Sequence, residues 1–71
     1  MSASIRVRVN GEERTLPAAA TVADLLGELG LAGQTTVGVE RNGSFVEPAS
    51  YGEVSLTTGD EVEIVRFLGG G

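Results

Sequence analysis

The chain has no cysteine, no histidine and no lysine. Without cysteine there is neither a disulfide nor a thiolate ligand. With histidine also missing, zinc, haem and most transition-metal sites lose their usual donors. The Ser-His and Cys-His nucleophilic pairs are excluded for the same reason. The missing lysine removes the side-chain amine through which a protein modifier builds isopeptide chains on itself. The phosphate-binding spacings GxGxxG and GxxxxGK[ST] do not occur, so any nucleotide used here is expected to be bound by a partner. No apolar run approaches the length of a membrane span. Residues 1–8 carry no apolar h-region of a signal peptide, and the expected compartment is the cytoplasm.

What is present is compact. Seventy-one residues make one domain, which buries only about 60% of its unfolded surface. Ten acidic residues against five arginines give a net charge of −5. That balance argues against nucleic acid or an anionic membrane as partner, because both need a basic face. It suits docking on a basic protein surface.

Ile5-Arg6-Val7-Arg8-Val9 alternates with the period of a half-buried strand. Asn10-Gly11 then predicts a tight hairpin turn, with Glu12 to Leu16 returning as a second strand. Thr21 reads as a helix N-cap with Asp24 three residues on, an aspartate version of the capping box. Val22, Leu25, Leu26 and Leu29 form one apolar stripe, and Gly30 is placed to end the helix. Thr35 to Arg41 reads as a third strand, Asn42-Gly43 as a second turn, and Ser44 to Glu47 as a fourth strand stopped by Pro48. Residues 49–56 read as irregular, with a helical turn around Ser50 to Glu53. Thr58-Gly59-Asp60 is a turn before the final strand, Glu61 to Phe67. The order β-β-α-β-β-β describes an α+β roll, a mixed sheet of about five strands wrapped on one helix. Its first and last strands are able to lie side by side and parallel. The expected core is Ile5, Val7, Val9, Leu25, Leu26, Leu29, Val37, Val39, Val62 and Ile64.

In the last strand Val62 and Ile64 should face the helix, leaving Glu61, Glu63, Val65 and Phe67 on the other side. Glu61 and Glu63 are then placed to pair with Arg6 and Arg8. Val65 and Phe67 either form a docking patch, or Phe67 bends inward to close the core. Gly38, inside a strand, marks a bulge or close packing. Asp60, Glu61 and Glu63 read as solvated carboxylates rather than acid–base catalysts.

After Phe67 come Leu68 and Gly69-Gly70-Gly71. Glycines without side chains add nothing to a core, so the expected organisation is a folded body over 1–68 and a flexible tail over 69–71. Four extended residues beyond Phe67 reach about 13–14 Å. That length lets a thin arm enter a narrow tunnel and present a terminal carboxyl to another protein's active site.

Four segments together resemble the ubiquitin-like sulfur carriers, and among them most the thiamin-biosynthesis sulfur carrier family. They are Ile5 to Gly11, Thr21 to Leu26, Val39 to Gly43 and, most specifically, Gly59-Asp-Glu-Val-Glu-Ile-Val-Arg-Phe-Leu-Gly-Gly-Gly71. The resemblance implies a β-grasp fold and a protein cosubstrate rather than an enzyme. It implies that an E1-like adenylating enzyme, using its own ATP and Mg²⁺, converts the Gly71 carboxylate to an acyl-adenylate. A sulfur donor such as a cysteine desulfurase then leaves a thiocarboxylate, which thiazole synthase consumes. Gly69 and Gly70 would give clearance, and Val65, Phe67 and Leu68 would dock the partner. The family's ending is two glycines; this chain has three. Molybdopterin synthase's small subunit, carriers for tRNA thiolation, and a ubiquitin-like modifier conjugated through Gly71 share the same pattern.

Overall fold

The structure, a computed structural model, describes residues 3–67. Its strands are β1 (Ser4–Val9), β2 (Glu12–Pro17), β3 (Val37–Arg41), β4 (Ser44–Val46) and β5 (Glu61–Arg66). One helix, α1 (Val22–Glu28), and a 3₁₀ turn at Pro48–Ser50 complete it. The sheet order is β2-β1-β5-β3-β4. β1 and β5 pair in parallel, and every other neighbouring pair is antiparallel. This is the expected β-grasp roll.

Local chemistry explains each boundary. Both hairpin turns are Asn-Gly with positive φ at both positions, 51° and 85° at Asn10-Gly11 and 52° and 86° at Asn42-Gly43. These are the type I′ turns whose twist matches the flanking strands. The helix opens on a complete capping box: Asp24 N–H donates to Thr21 Oγ1 at 3.2 Å, and Thr21 N–H donates to Asp24 Oδ2 at 2.9 Å. It closes on a Schellman motif, with Leu31 N–H donating to Leu26 C=O at 2.8 Å and Gly30 N–H to Gly27 C=O at 3.2 Å.

The core lies between α1 and the inner face of the sheet. Val7, Val9, Leu25, Leu26, Val37, Val39 and Val62 are buried as expected. Ile5, Leu29 and Ile64 are only half-buried. Leu29 and Ile64 line an open groove of about 310 Å³ beside the β1–β2 turn. Leu16, Ala20, Val22, Val46 and Leu56 complete the core. Leu56 lies in the segment read as irregular. That segment is tied to the helix entrance by Val22 N–H to Val54 C=O (3.0 Å) and Leu56 N–H to Ala20 C=O (2.8 Å), which drives Leu56 inward. β3 starts at Val37 rather than Thr35. A 3₁₀ turn covers Pro48–Ser50, and the expected turn around Ser50 to Glu53 follows it, with Glu53 N–H donating to Ser50 C=O at 2.8 Å.

Candidate functional site

The last strand, with Phe67 after it, immediately precedes Leu68 and the three glycines in sequence. β5 lies in the middle of the sheet, between β1 and β3. Its start is fixed by Asp60, which is only 6% exposed. The Asp60 carboxylate accepts from Thr57 N–H (2.9 Å), Thr57 Oγ1–H (3.2 Å), Arg41 Nε–H (2.9 Å) and Asn42 Nδ2–H (3.0 Å). Burial is the largest influence on this carboxyl and pushes its pKa up. The hydrogen bonds from Thr57, Asn42 and Arg41, with the Arg41 charge, outweigh it and hold the group below its ordinary value. Asp60 is thus a buried anchor, not the solvated carboxylate expected from its acidic neighbours.

The two turn asparagines grip β5 from opposite sides. Asn42 Oδ1 accepts from Glu61 N–H at 2.9 Å, while Asn42 N–H donates to Glu61 C=O at 2.7 Å. β1 pairs with β5 only at Arg8↔Glu61 and Val9↔Val62. Past that point the Asn10 side chain takes over: its Oδ1 accepts from Ile64 N–H at 2.8 Å, and its Nδ2 donates to Ile64 C=O at 3.4 Å. Beyond Ile64 the strand is held by β3 alone, through Gly38↔Val65 and Val37↔Arg66. Phe67 N–H donates to Thr36 C=O at 2.7 Å.

The side chains of β5 alternate as the strand period requires. Val62 is buried and Ile64 half-buried, whereas Glu61, Glu63 and Val65 face outward. Phe67 also stays outward, 56% exposed, and does not bend into the core; Val65 is 40% exposed. The expected pairs of Glu61 and Glu63 with Arg6 and Arg8 do not form, although Arg8 sits opposite Glu61. Arg6 reaches across to β2 instead, its Nη1 lying 3.4 Å from Glu13 Oε2. That antiparallel neighbour brings the carboxylate within range. The outward face also carries a residue that sequence reasoning passed over. Phe45 on β4 is 57% exposed. It stands opposite Glu40, which stands opposite Glu63. Its alternation with the buried Val46 was the available signal.

Gly38 is a case of close packing, not a bulge. A Cβ built there would stand 3.0 Å from both Cε2 and Cζ of Phe67 and 3.4 Å from Cγ2 of Val65. The Phe67 ring therefore lies across the bare glycine on the outer face. Of the predicted site residues, Val65 and Phe67 come together there. Leu68, Gly69, Gly70 and Gly71 lie outside the described residues.

The ThiS family profile matches residues 7–71, nearly the whole chain. The chain belongs to the ThiS family. Two of the relatives that it matches are named as a sulfur carrier protein and a thiamine biosynthesis protein. A crystal structure of the thiamine biosynthesis protein ThiS from Geobacter metallireducens superposes with a TM-score of 0.79 at 35% identity, covering 94% of this chain and 100% of that one. The sulfur carrier protein ThiS of Bacillus subtilis is 41% identical over 51 residues, 72% of this chain and 76% of that protein. A thiazole synthase of Paramagnetospirillum magneticum is 48% identical over 67 residues, and one of Magnetococcus marinus 40% identical over 67 residues. The chain spans 94% of itself in each match but only 20% of either thiazole synthase. No helix among the described residues is long and apolar enough to cross a membrane.

Proposed function

We propose that this ThiS-family chain carries sulfur on the carboxylate of Gly71 and delivers it for formation of the thiazole ring of thiamin. In this reading an E1-like partner, which binds ATP and Mg²⁺ itself, activates the carboxylate. A carboxylate is a poor electrophile, so its oxygen attacks the α-phosphorus of ATP and pyrophosphate departs. The terminal sulfur of a donor's persulfide, such as that of a cysteine desulfurase, attacks the resulting acyl-adenylate and AMP departs. A thiol then attacks the donor's cysteine sulfur in the acyl disulfide, forming a disulfide with it and leaving the thiocarboxylate on Gly71. Thiazole synthase then takes the sulfur. This chain supplies no base and no metal. Its own residues supply the acceptor at Gly71, clearance at Gly69 and Gly70, and a docking patch at Val65, Phe67 and Leu68. The folded body spans 1–68 and the tail 69–71, and the site of action is the cytoplasm.

The observation that carries the reading is that the family match runs through Gly71, directly beyond a strand fixed at the centre of the sheet. The outward Val65 and Phe67 support docking, because solvent-facing apolar side chains grouped at one end of a strand mark interaction surfaces. The acidic Glu40 and Glu63 between Phe45 and Val65 suit a basic partner rim. Thiazole synthase as acceptor is supported by the two relatives of that name that contain a stretch similar to nearly all of this chain.

The test is an intact-mass measurement after incubation with the host's adenylating enzyme, ATP and a sulfur source. The expected result is exchange of one oxygen for sulfur at Gly71, with the variant lacking both Gly70 and Gly71, which no longer ends in two glycines, folding normally and staying unloaded. Loading of that deletion variant, or an adduct to a lysine of another protein with no sulfur gained, overturns the reading.

A further inference from the structure

We infer that Gly38 is a positioning residue for partner docking: its missing side chain is a seat that fixes the Phe67 ring on the outer face of the sheet. The inference rests on the carrier reading above and names the contact through which the adenylating partner would read this carrier.

Three observations carry it. First, Phe67 directly opposes Thr36, to which its N–H donates at 2.7 Å, yet its ring leans diagonally onto Gly38. A diagonal cross-strand neighbour is within reach of an aromatic side chain, and an aromatic laid over a strand glycine compensates for the absent side chain. Second, any Cβ at Gly38 would come within 3.0 Å of two ring carbons, tighter than ordinary contact. A side chain there makes the ring give way from its present seat. Third, Gly38 is itself buried and has no positive φ that would require glycine for the backbone. The turn-forming reason for glycine is absent, and the space it leaves is filled by Phe67.

A freely rotating exposed phenylalanine loses side-chain freedom when a partner captures it; one already seated has less to lose. The seat also lies where β5 is held on one side only, so the ring braces the strand at its departure towards the tail. The occupant is the adenylating partner, presenting an apolar pocket to the ring and a basic rim to Glu40 and Glu63.

The experiment combines Gly38→Ala, Phe67→Ala and the double variant. In the free wild type the Phe67 ring should shift the Gly38 α-proton resonances upfield, with ring-to-Gly38 NOEs; in Gly38→Ala the NOEs should weaken as the ring leaves. Thermal stability of Gly38→Ala should change little, since the order that alanine gains over glycine in a strand offsets the ring contact it displaces. In steady-state adenylation, Gly38→Ala should raise KM for the carrier roughly three- to tenfold with kcat retained, the pattern of lost binding. In the Phe67→Ala background the same change should have no further effect, because it acts through the ring. Absence of the ring shift in wild type, an unchanged KM in Gly38→Ala, or additive effects in the double variant each overturn the inference. A wild type that is never adenylated strikes the carrier reading instead, and the inferred partner with it.

Discussion

Replacing Asp60 with alanine should cost this domain about 2–3 kcal/mol. The carboxylate is buried and accepts four hydrogen bonds, two of them from the hairpin residues Arg41 and Asn42. Thr57 and Asn42 are exposed, so water replaces part of what they lose. Arg41 keeps 33% of its side chain exposed, which relieves its charge in part. What is left is the loss of one charge-assisted pair plus residual desolvation, hence the figure above. A 71-residue domain has only about 4–10 kcal/mol in all, and the change corresponds to a fall in Tm of roughly 8–24 °C. Asp60→Asn should be nearly as harmful, because its amide nitrogen must point at one of the donors that the carboxylate satisfied. The pH dependence follows from the lowered pKa. A carboxyl depressed in the folded state stabilises fully above its unfolded pKa, about 3.9. That stability fades as pH falls through the lower folded value. Wild type and Asp60→Asn should therefore converge in stability below about pH 4 and diverge above it. Urea unfolding followed by circular dichroism across pH 2.5–7 reads both effects, the range bracketing the carboxylate pKa. An Asp60→Ala variant within about 0.5 kcal/mol of wild type at neutral pH, the scatter of ordinary surface changes, would refute the reasoning.

The Asn10 grip gives a sharper local prediction. Asn10→Gly keeps the left-handed turn and removes the side chain from Ile64, so the Ile64 amide should exchange faster while the hairpin persists. Asn10→Ala also places a Cβ at positive φ and should lose about 1–2 kcal/mol more; equal stability of the two variants would contradict this. Thr21→Ala breaks the capping box and should cost about 1 kcal/mol, or roughly 4–8 °C in Tm, with no change in sulfur loading.

The elements that sequence made legible are those whose boundaries are written in local chemistry. Asn10-Gly11, Asn42-Gly43, Thr21 with Asp24, and Gly30 each do in the structure what their residue types demand. The stripe of the helix and the alternation of β1 and β5 likewise depend on neighbours along the chain. What escaped depends on neighbours across it. Asp60 precedes two exposed glutamates, and nothing local distinguishes it; only the approach of the Arg41-Asn42 hairpin buries it. Leu56 belongs to no periodic run, and the pairing of residues 54 and 56 with the helix entrance sets its direction. For the candidate site, the outward face of Val65 and Phe67 was readable from strand period. At Gly38 close packing was one of two readings, but that Phe67 is what packs there was not legible, because a glycine's use is defined by what comes to rest on it.

The central position of β5 also bears on how this molecule comes to exist. β1–β2 and β3–β4 are local hairpins that share no backbone pairing with each other in the sheet. Only β5 joins them, through contacts such as Asn10 to Ile64, separated by 54 positions. Closure over such separations is entropically slow and is completed late. During synthesis, the two hairpins must wait as unpaired edges until residues 61–66 emerge, a period in which they are open to pairing with other chains. Among the described residues β5 is thus the last piece of the sheet to emerge, so a chain cut short of it is left as two halves without a common sheet.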